Sequence, residues 1–274
     1  MNYQCPLCFT PLNLANNSYR CVENHQFDCA KEGYVNLLPV QHKRSKDPGD
    51  NAEMMQARRQ FLDAGHYQPM REKVAEKLIQ FIPSSCTSLL DIGCGEGYYT
   101  DYFSQKLAKH FEKYTVLGLD VSKAAIRYAA KRYKSVRFCV GTSHRLPFSD
   151  NSLGGIVRIY APCKAQELSR VLVSKGMLIT VTPAAEHLQE LKALIYDEVK
   201  LHPAKDEDLP NFSLIDSCQL NYRMALTGQE AYELLMMTPF AWRASEQVKG
   251  DLQKAEVKEY TADFLIRVYQ SNAE

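Results

Sequence analysis

Apolar positions along this chain follow two periods, and the change between them divides it. From residue 88 onward, short apolar runs alternate with helical patterns. Residues 88–92, 115–119, 136–140, 155–160 and 177–182 read as strands, with helices over 98–108 and after Ser122. Such alternation predicts a parallel sheet covered on both faces. Segments 220–226 and 264–269 read as a closing antiparallel pair, which makes seven strands. Upstream, Met70, Val74, Leu78 and Phe81 fall at three- and four-residue spacing in a helix opened by Pro69. Another helix is expected over 52–64, capped by Asp50 or Asn51 and ended by Gly65. Residues 31–50 show few periodic apolar positions, and the first thirty hold too few to fold unaided. The expected division is a small domain over 1–36, a linker and helices over 37–83, and an α/β domain over 84–274.

The cysteines explain how the small domain folds. Of nine, five sit singly in apolar segments, the usage of a reducing compartment. The other four crowd into the first thirty residues. Cys5-Pro-Leu-Cys8 forms a tight knuckle, and Cys21 with His25 supplies a second. Three thiolates and one imidazole complete a tetrahedral zinc set with no open position, so the metal is expected to be structural. Cys29 reads as a spare, half-buried thiol, with exchange for His25 as a minor alternative. Phe9, Tyr19, Phe27 and Tyr34 either stack on nucleic-acid bases or pack around the knuckles, and packing is the stronger reading.

Charge narrows the partners little. The formal net charge is +1, so any polyanion would have to be met by a local patch. Lys43, Arg44 and Lys46, with Arg58 and Arg59 nearby, form such a strip, although Asp47, Asp50 and Glu53 offset much of it. No apolar run is long enough to cross a bilayer, and the N-terminus lacks the pattern of a signal peptide. The expected location is the cytoplasm.

The candidate chemistry lies after the first strand of the α/β domain. Asp91-Ile-Gly93-Cys-Gly95-Glu-Gly97 places an acid inside the strand, before the first glycine. This string resembles the first motif of the class I (Rossmann-like) S-adenosylmethionine methyltransferases, where Asp91 would order the loop and help hold the cofactor's amino-acid end. Asp120 ends the second strand, where an acid can accept both ribose hydroxyls. Arg145-Leu146-Pro147-Phe148 resembles the segment beside adenine, but Thr142, Ser143 and His144 stand where many relatives carry an acid. Adenine N6 would then meet a backbone carbonyl or Ser143; His144 reads equally as a contact or as a loop histidine.

Four segments together extend the resemblance over nearly the whole chain. They are the knuckles at Cys5, Cys8, Cys21 and His25; KEGYVNLLPVQHKRSKDPGD at 31–50; DIGCGEGYYT at 91–100; and Arg158-Ile-Tyr160-Ala-Pro162-Cys163. With Thr238-Pro-Phe-Ala-Trp242 they resemble the bacterial 23S rRNA (guanine-N1)-methyltransferase A family. The resemblance implies one structural zinc at the four knuckle residues. It also implies S-adenosylmethionine contacts from Tyr67, Gly97, Tyr98 and His187, and methyl transfer to N1 of a guanine in a hairpin loop of 23S ribosomal RNA. Tyr160 could stack on that base and Lys164 could stabilise its anion; a packed tyrosine and an exposed lysine weigh equally. No carboxylate there presents itself as the base, so the catalytic residue is unassigned. The rival reading is a small-molecule methyltransferase with a purely structural zinc module. A homodimer would be one way to build a basic cleft from two small patches.

Overall fold

Eight strands form the main sheet, in the order β10 (Phe212–Leu226), β11 (Lys258–Ser271), β9 (Leu172–Pro183), β8 (Leu153–Ile159), β5 (Ser88–Ile92), β6 (Thr115–Asp120), β7 (Arg137–Val140) and β4 (Val35–Asn36). The computed structural model describes residues 3–39, 51–199 and 207–272. The parallel centre comprises β5, β6, β7, β8 and most of β9. All five residues of β5 are buried, as befits a strand covered on both faces. The closing pair, β10 and β11, is antiparallel, as expected, and much longer than its apolar runs suggest. The first half of β10 is irregular, with Leu214 and Ile215 exposed and a register shift between Leu214 and Asp216, so the alternation that marks a strand begins only near Cys218.

The strand beyond the expected seven is β4, which pairs in parallel with β7. Two residues are too few to produce a periodic signal. Val35, Leu37 and Leu38 are nevertheless buried, and the Leu37 N–H donates to the Val140 carbonyl at 2.8 Å.

Three short strands, β1 (Asn13–Ala15), β2 (Ser18–Arg20) and β3 (Gln26–Asp28), make a separate antiparallel sheet around the cysteine knuckles. This ribbon packs against one face of the main sheet. Tyr3 and Leu12 join the same buried cluster as Leu90, Leu117 and Phe148, and the Gln4 N–H donates to the Pro147 carbonyl at 3.0 Å. The aromatics divide accordingly. Tyr34 is buried, Tyr19 meets Tyr3 edge to face, and Phe9 is half exposed beneath the Arg145 guanidinium.

Helices α1 (Ala52–Asp63) and α2 (Gln68–Phe81) lie close to their expected bounds, with Asn51 as the cap of the first. Helix α2 packs on the opposite sheet face, together with α3 (Tyr98–Leu107) and the later α7 (Gly228–Met236). Lys43, Arg44 and Lys46 lie outside the described residues. No described helix is long and apolar enough to cross a membrane.

Candidate active site and metal centre

Strand β5 pairs with β6 on one side and β8 on the other, so the chain winds away from it in both directions. A crevice opens at its carboxyl end for that reason. The crevice is a cavity of about 660 Å³, lined by the glycine loop, the end of β8, residues of α1 and the 237–240 segment. Gly93 and Gly95 line it with positive φ angles of 73° and 54°. A Cβ at Gly93 would stand 2.6 Å from the Ala161 Cβ, whereas one at Gly95 would meet only open space. Gly95 is therefore the place where a ligand can approach bare backbone. That cradle, with a carboxylate at its base, suits the amino-acid end of S-adenosylmethionine.

Asp91 is 2% exposed, and the Thr100 hydroxyl donates to it at 2.6 Å. Burial pushes its pKa up to about 7 against that hydrogen bond, and the nearby Asp120 charge adds to the rise. Asp120 itself does not line the cavity. Its two oxygens accept the N–H groups of Gly95 at 2.9 Å and Ser122 at 2.8 Å, tying the glycine loop to the end of β6.

Of the other expected cofactor residues, Tyr67, Tyr98 and His187 line the cavity; Gly97, Ser143 and His144 do not. Gly97 caps α3 with φ 83°, packed against Phe138 and Tyr133. Ser143 and His144 occupy the turn after β7, where the Ser143 carbonyl accepts from the Cys163 thiol. Tyr67 and His187, far apart in sequence, meet around Phe264, at ring distances of 5.0 and 4.9 Å.

His187 also fixes a neighbour's proton. Its Nδ1 accepts the Asp263 N–H at 3.1 Å, so the ring hydrogen lies on Nε2, 3.4 Å from the Tyr160 hydroxyl. Tyr160 accepts that hydrogen bond, which leaves its own proton to be donated elsewhere. Its backbone is left-handed, with φ 58°, a strained conformation of the kind found at functional sites. Lys164 instead caps α5 (Ala165–Val171), exposed and outside the cavity.

Several lining residues carried no signal of their own. Arg59 makes a bidentate pair with Glu96, both bonds 2.7 Å, and Arg58 donates to the Met237 carbonyl at 3.2 Å. Both arginines, read from sequence as part of a basic strip, thus brace the cavity walls. Asp63 pairs with Arg132 at 3.0 Å. Each lining carboxylate is therefore already engaged.

At the N-terminus, the ligand atoms of Cys5, Cys8, Cys21 and His25 lie within 4.8 Å of one another. Cys8 Sγ is 3.6 Å from Cys21 Sγ, and His25 Nδ1 is 3.5 Å from Cys5 Sγ and 3.4 Å from Cys21 Sγ. Tetrahedral zinc requires sulfur–sulfur and sulfur–nitrogen separations of about 3.8 and 3.5 Å, so the set fits that ion. Cys29 is not in the cluster.

Comparison with known proteins agrees with both halves. Residues 3–46 match a zinc-ribbon family described as RlmA, N-terminal, and residues 83–238 match a methyltransferase domain family. A 23S rRNA (guanine(748)-N(1))-methyltransferase of Streptomyces fradiae is 31% identical, over 87% of this chain and 85% of that one. Two relatives carry the 23S rRNA guanine-N1 activity as a provisional name. The one from Micromonospora griseorubida is 34% identical, over 87% of this chain and 86% of its own. The one from Bacillus subtilis is 30% identical, over 95% and 94%.

Two outcomes follow for the purified protein. Metal analysis should find one zinc per chain, lost in Cys21→Ser, with a lower thermal midpoint because the ribbon packs into the main sheet's core. Asp91 gives a pH effect of definite sign. Below about pH 4 both folded and unfolded chains hold its proton; between about 4 and 7 only the folded chain does. The Asp91 contribution to wild-type stability should then fall with rising pH by up to about 1.4 kcal/mol per unit, levelling above 7. Urea titrations of Asp91→Asn against wild type should show the variant's relative stability growing through that window. A pH-independent difference would contradict the assignment.

Proposed function

The chain belongs to the 23S rRNA (guanine-N1)-methyltransferase family, and we propose that it methylates N1 of a guanine in a hairpin loop of 23S ribosomal RNA. Two observations together carry the reading: relatives named for that activity align with 87–95% of the chain, and the chain matches both the zinc-ribbon and the methyltransferase-domain families. With that function we also propose a cytoplasmic location and a homodimer, as one way for a nearly neutral chain to pool small basic patches. The proposed division is a zinc-binding domain over 1–36, a linker and helices over 37–83, and the methyltransferase domain over 84–274. The proposed zinc ligands are Cys5, Cys8, Cys21 and His25.

S-adenosylmethionine, when bound, supplies an electrophilic methyl group on a sulfonium. Asp91 and the bare backbone at Gly95 would hold its amino-acid end, with Gly93 lining the cavity beside Ala161 and Gly97 setting the turn into α3. Tyr67, Tyr98 and His187 wall the cavity around it. Asp120 orders the loop from outside the cavity, and a ribose bond would use the remaining lone pairs of its carboxylate; Ser143 and His144, in the turn after β7, would stand on the adenine side. Positioning and exclusion of water account for most of the rate in a displacement of this kind.

The acceptor poses the harder problem, because guanine N1 carries a proton and is a weak nucleophile until it leaves. Every carboxylate lining the cavity is paired or hydrogen-bonded, so none stands ready as a base. Tyr160 instead provides a donor. With His187 Nε2–H directed at its oxygen, the Tyr160 phenol would donate to the guanine O6, where negative charge gathers as N1 releases its hydrogen to solvent hydroxide before the pocket closes on the base. A phenol keeps its proton at neutral pH, so Tyr160 remains a donor there. The base must leave its stack to reach this position, which suits a loop nucleotide.

Mass spectrometry of 23S rRNA from cells lacking the protein should show one N1-methylguanosine lost and restored by the wild-type gene; an unchanged rRNA would reject the function. Tyr160→Phe should lower kcat about a hundredfold with little change in the KM for S-adenosylmethionine, and move the rise of rate with pH upward. An unaltered pH profile would remove Tyr160 from the reaction.

A further inference from the structure

On the sheet face that carries the zinc ribbon, three neighbouring strands place Arg158, Thr180 and Arg267 in one row. Arg158 on β8 pairs with Thr180 on β9, which pairs with Arg267 on β11. All three are less than 8% exposed. A guanidinium at such depth is destabilising unless its hydrogens find partners. Arg158 Nη1 donates to the Ala161 carbonyl at 3.4 Å, and its outer edge pairs with the Glu207 carboxylate. Its Nε is buried and has no hydrogen-bond partner among the described residues.

Both arginines line a second cavity, of about 570 Å³, that shares Tyr160, Ala161 and Pro183 with the cofactor cavity. Tyr160 therefore stands between the two. A guanine held against its hydroxyl would have its sugar and phosphate one step away, on the side of Arg158. The guanidinium fork matches a phosphate in the same bidentate way as a carboxylate. Glu207 is the better placed of the ion pair to move, with 32% of its side chain exposed against 7% for Arg158.

We propose that this second cavity seats an RNA phosphate adjoining the target guanosine, held by Arg158, and that Glu207 occupies the position until the RNA displaces it. The proposal rests on the rRNA reading above. Release of Arg158 from Glu207 and capture by phosphate exchange one anion for another, so the buried guanidinium is never left bare. The displaced carboxylate turns outward into water.

The test uses the full zinc-loaded protein and a 23S rRNA transcript, with binding measured across a salt series. Arg158→Gln should weaken RNA binding at least tenfold and reduce the slope of log affinity against log salt by about one. Its affinity for S-adenosylmethionine should stay within about twofold of wild type. Glu207→Gln removes the competing anion and should tighten RNA binding severalfold. A wild-type slope in Arg158→Gln, or a Glu207→Gln protein that binds RNA no better, overturns the proposal. Should Arg158→Gln fail to fold, the Glu207→Gln result decides alone. Methylation of the same transcript by the wild-type protein separates the two claims. Methylation with an unaltered Arg158→Gln slope overturns the phosphate seat only, whereas its absence counts against the rRNA reading itself.

Discussion

The turn after β5 is held in place by the end of β6. The Leu119 carbonyl accepts the N–H groups of both Gly93 and Cys94, at 2.8 and 3.1 Å, and the Asp120 carboxylate accepts that of Gly95. Asp91, just before the turn, is tied to α3 through the Thr100 hydroxyl. A loop with three positive-φ glycines is costly to order, and these bonds supply the order without placing any side chain in the ligand's path. The crevice, the orientation of α3 and the exposed backbone at Gly95 all depend on this clamp. Asp91 and Asp120 are thus partly structural, and the rise in the Asp91 pKa reflects how deeply it is buried.

The zinc ribbon is joined to the catalytic fold by packing as well as by sequence. Tyr3 sits at 5.5 Å from the Phe148 ring, and Arg145 donates to both Gln4 and Glu167. The Leu146-Pro147-Phe148 segment therefore faces two ways, towards the sheet and towards the ribbon. A small module with few apolar residues gains a share in the main core through this contact, and the metal holds its knuckles in the shape that fits.

Around the cavity, charge is managed by pairing. Glu96, Asp63 and Glu207 each meet an arginine, and Asp91 meets a hydroxyl. Such a site is poor in free bases but rich in fixed donors and acceptors. That balance fits a reaction in which the leaving group is already activated and the acceptor needs its anion stabilised. The tautomer of His187, set by a backbone N–H of β11, is the clearest case of the fold dictating where a proton lies.

How much of this was legible in the sequence follows from the range of the interactions involved. Local order set the parallel strands, the glycine turn, the caps and the cysteine knuckles, because each depends on neighbours within a few residues. The seven main strands and the gathering of Cys5, Cys8, Cys21 and His25 could be read for that reason, and Tyr67 and His187, singled out by resemblance alone, line the cavity. Tertiary structure alone decided what lies far apart in the chain. It brought β4 to the edge of β7, although two residues leave no period to detect. It locked Arg59 onto Glu96, placed Asp120 under the glycine loop and left Lys164 outside the cavity. It also aligned Arg158, Thr180 and Arg267, which only strand register can bring into one row. A strand's sequence states which of its residues share a face; which residues of other strands they meet is set by how the whole sheet is assembled.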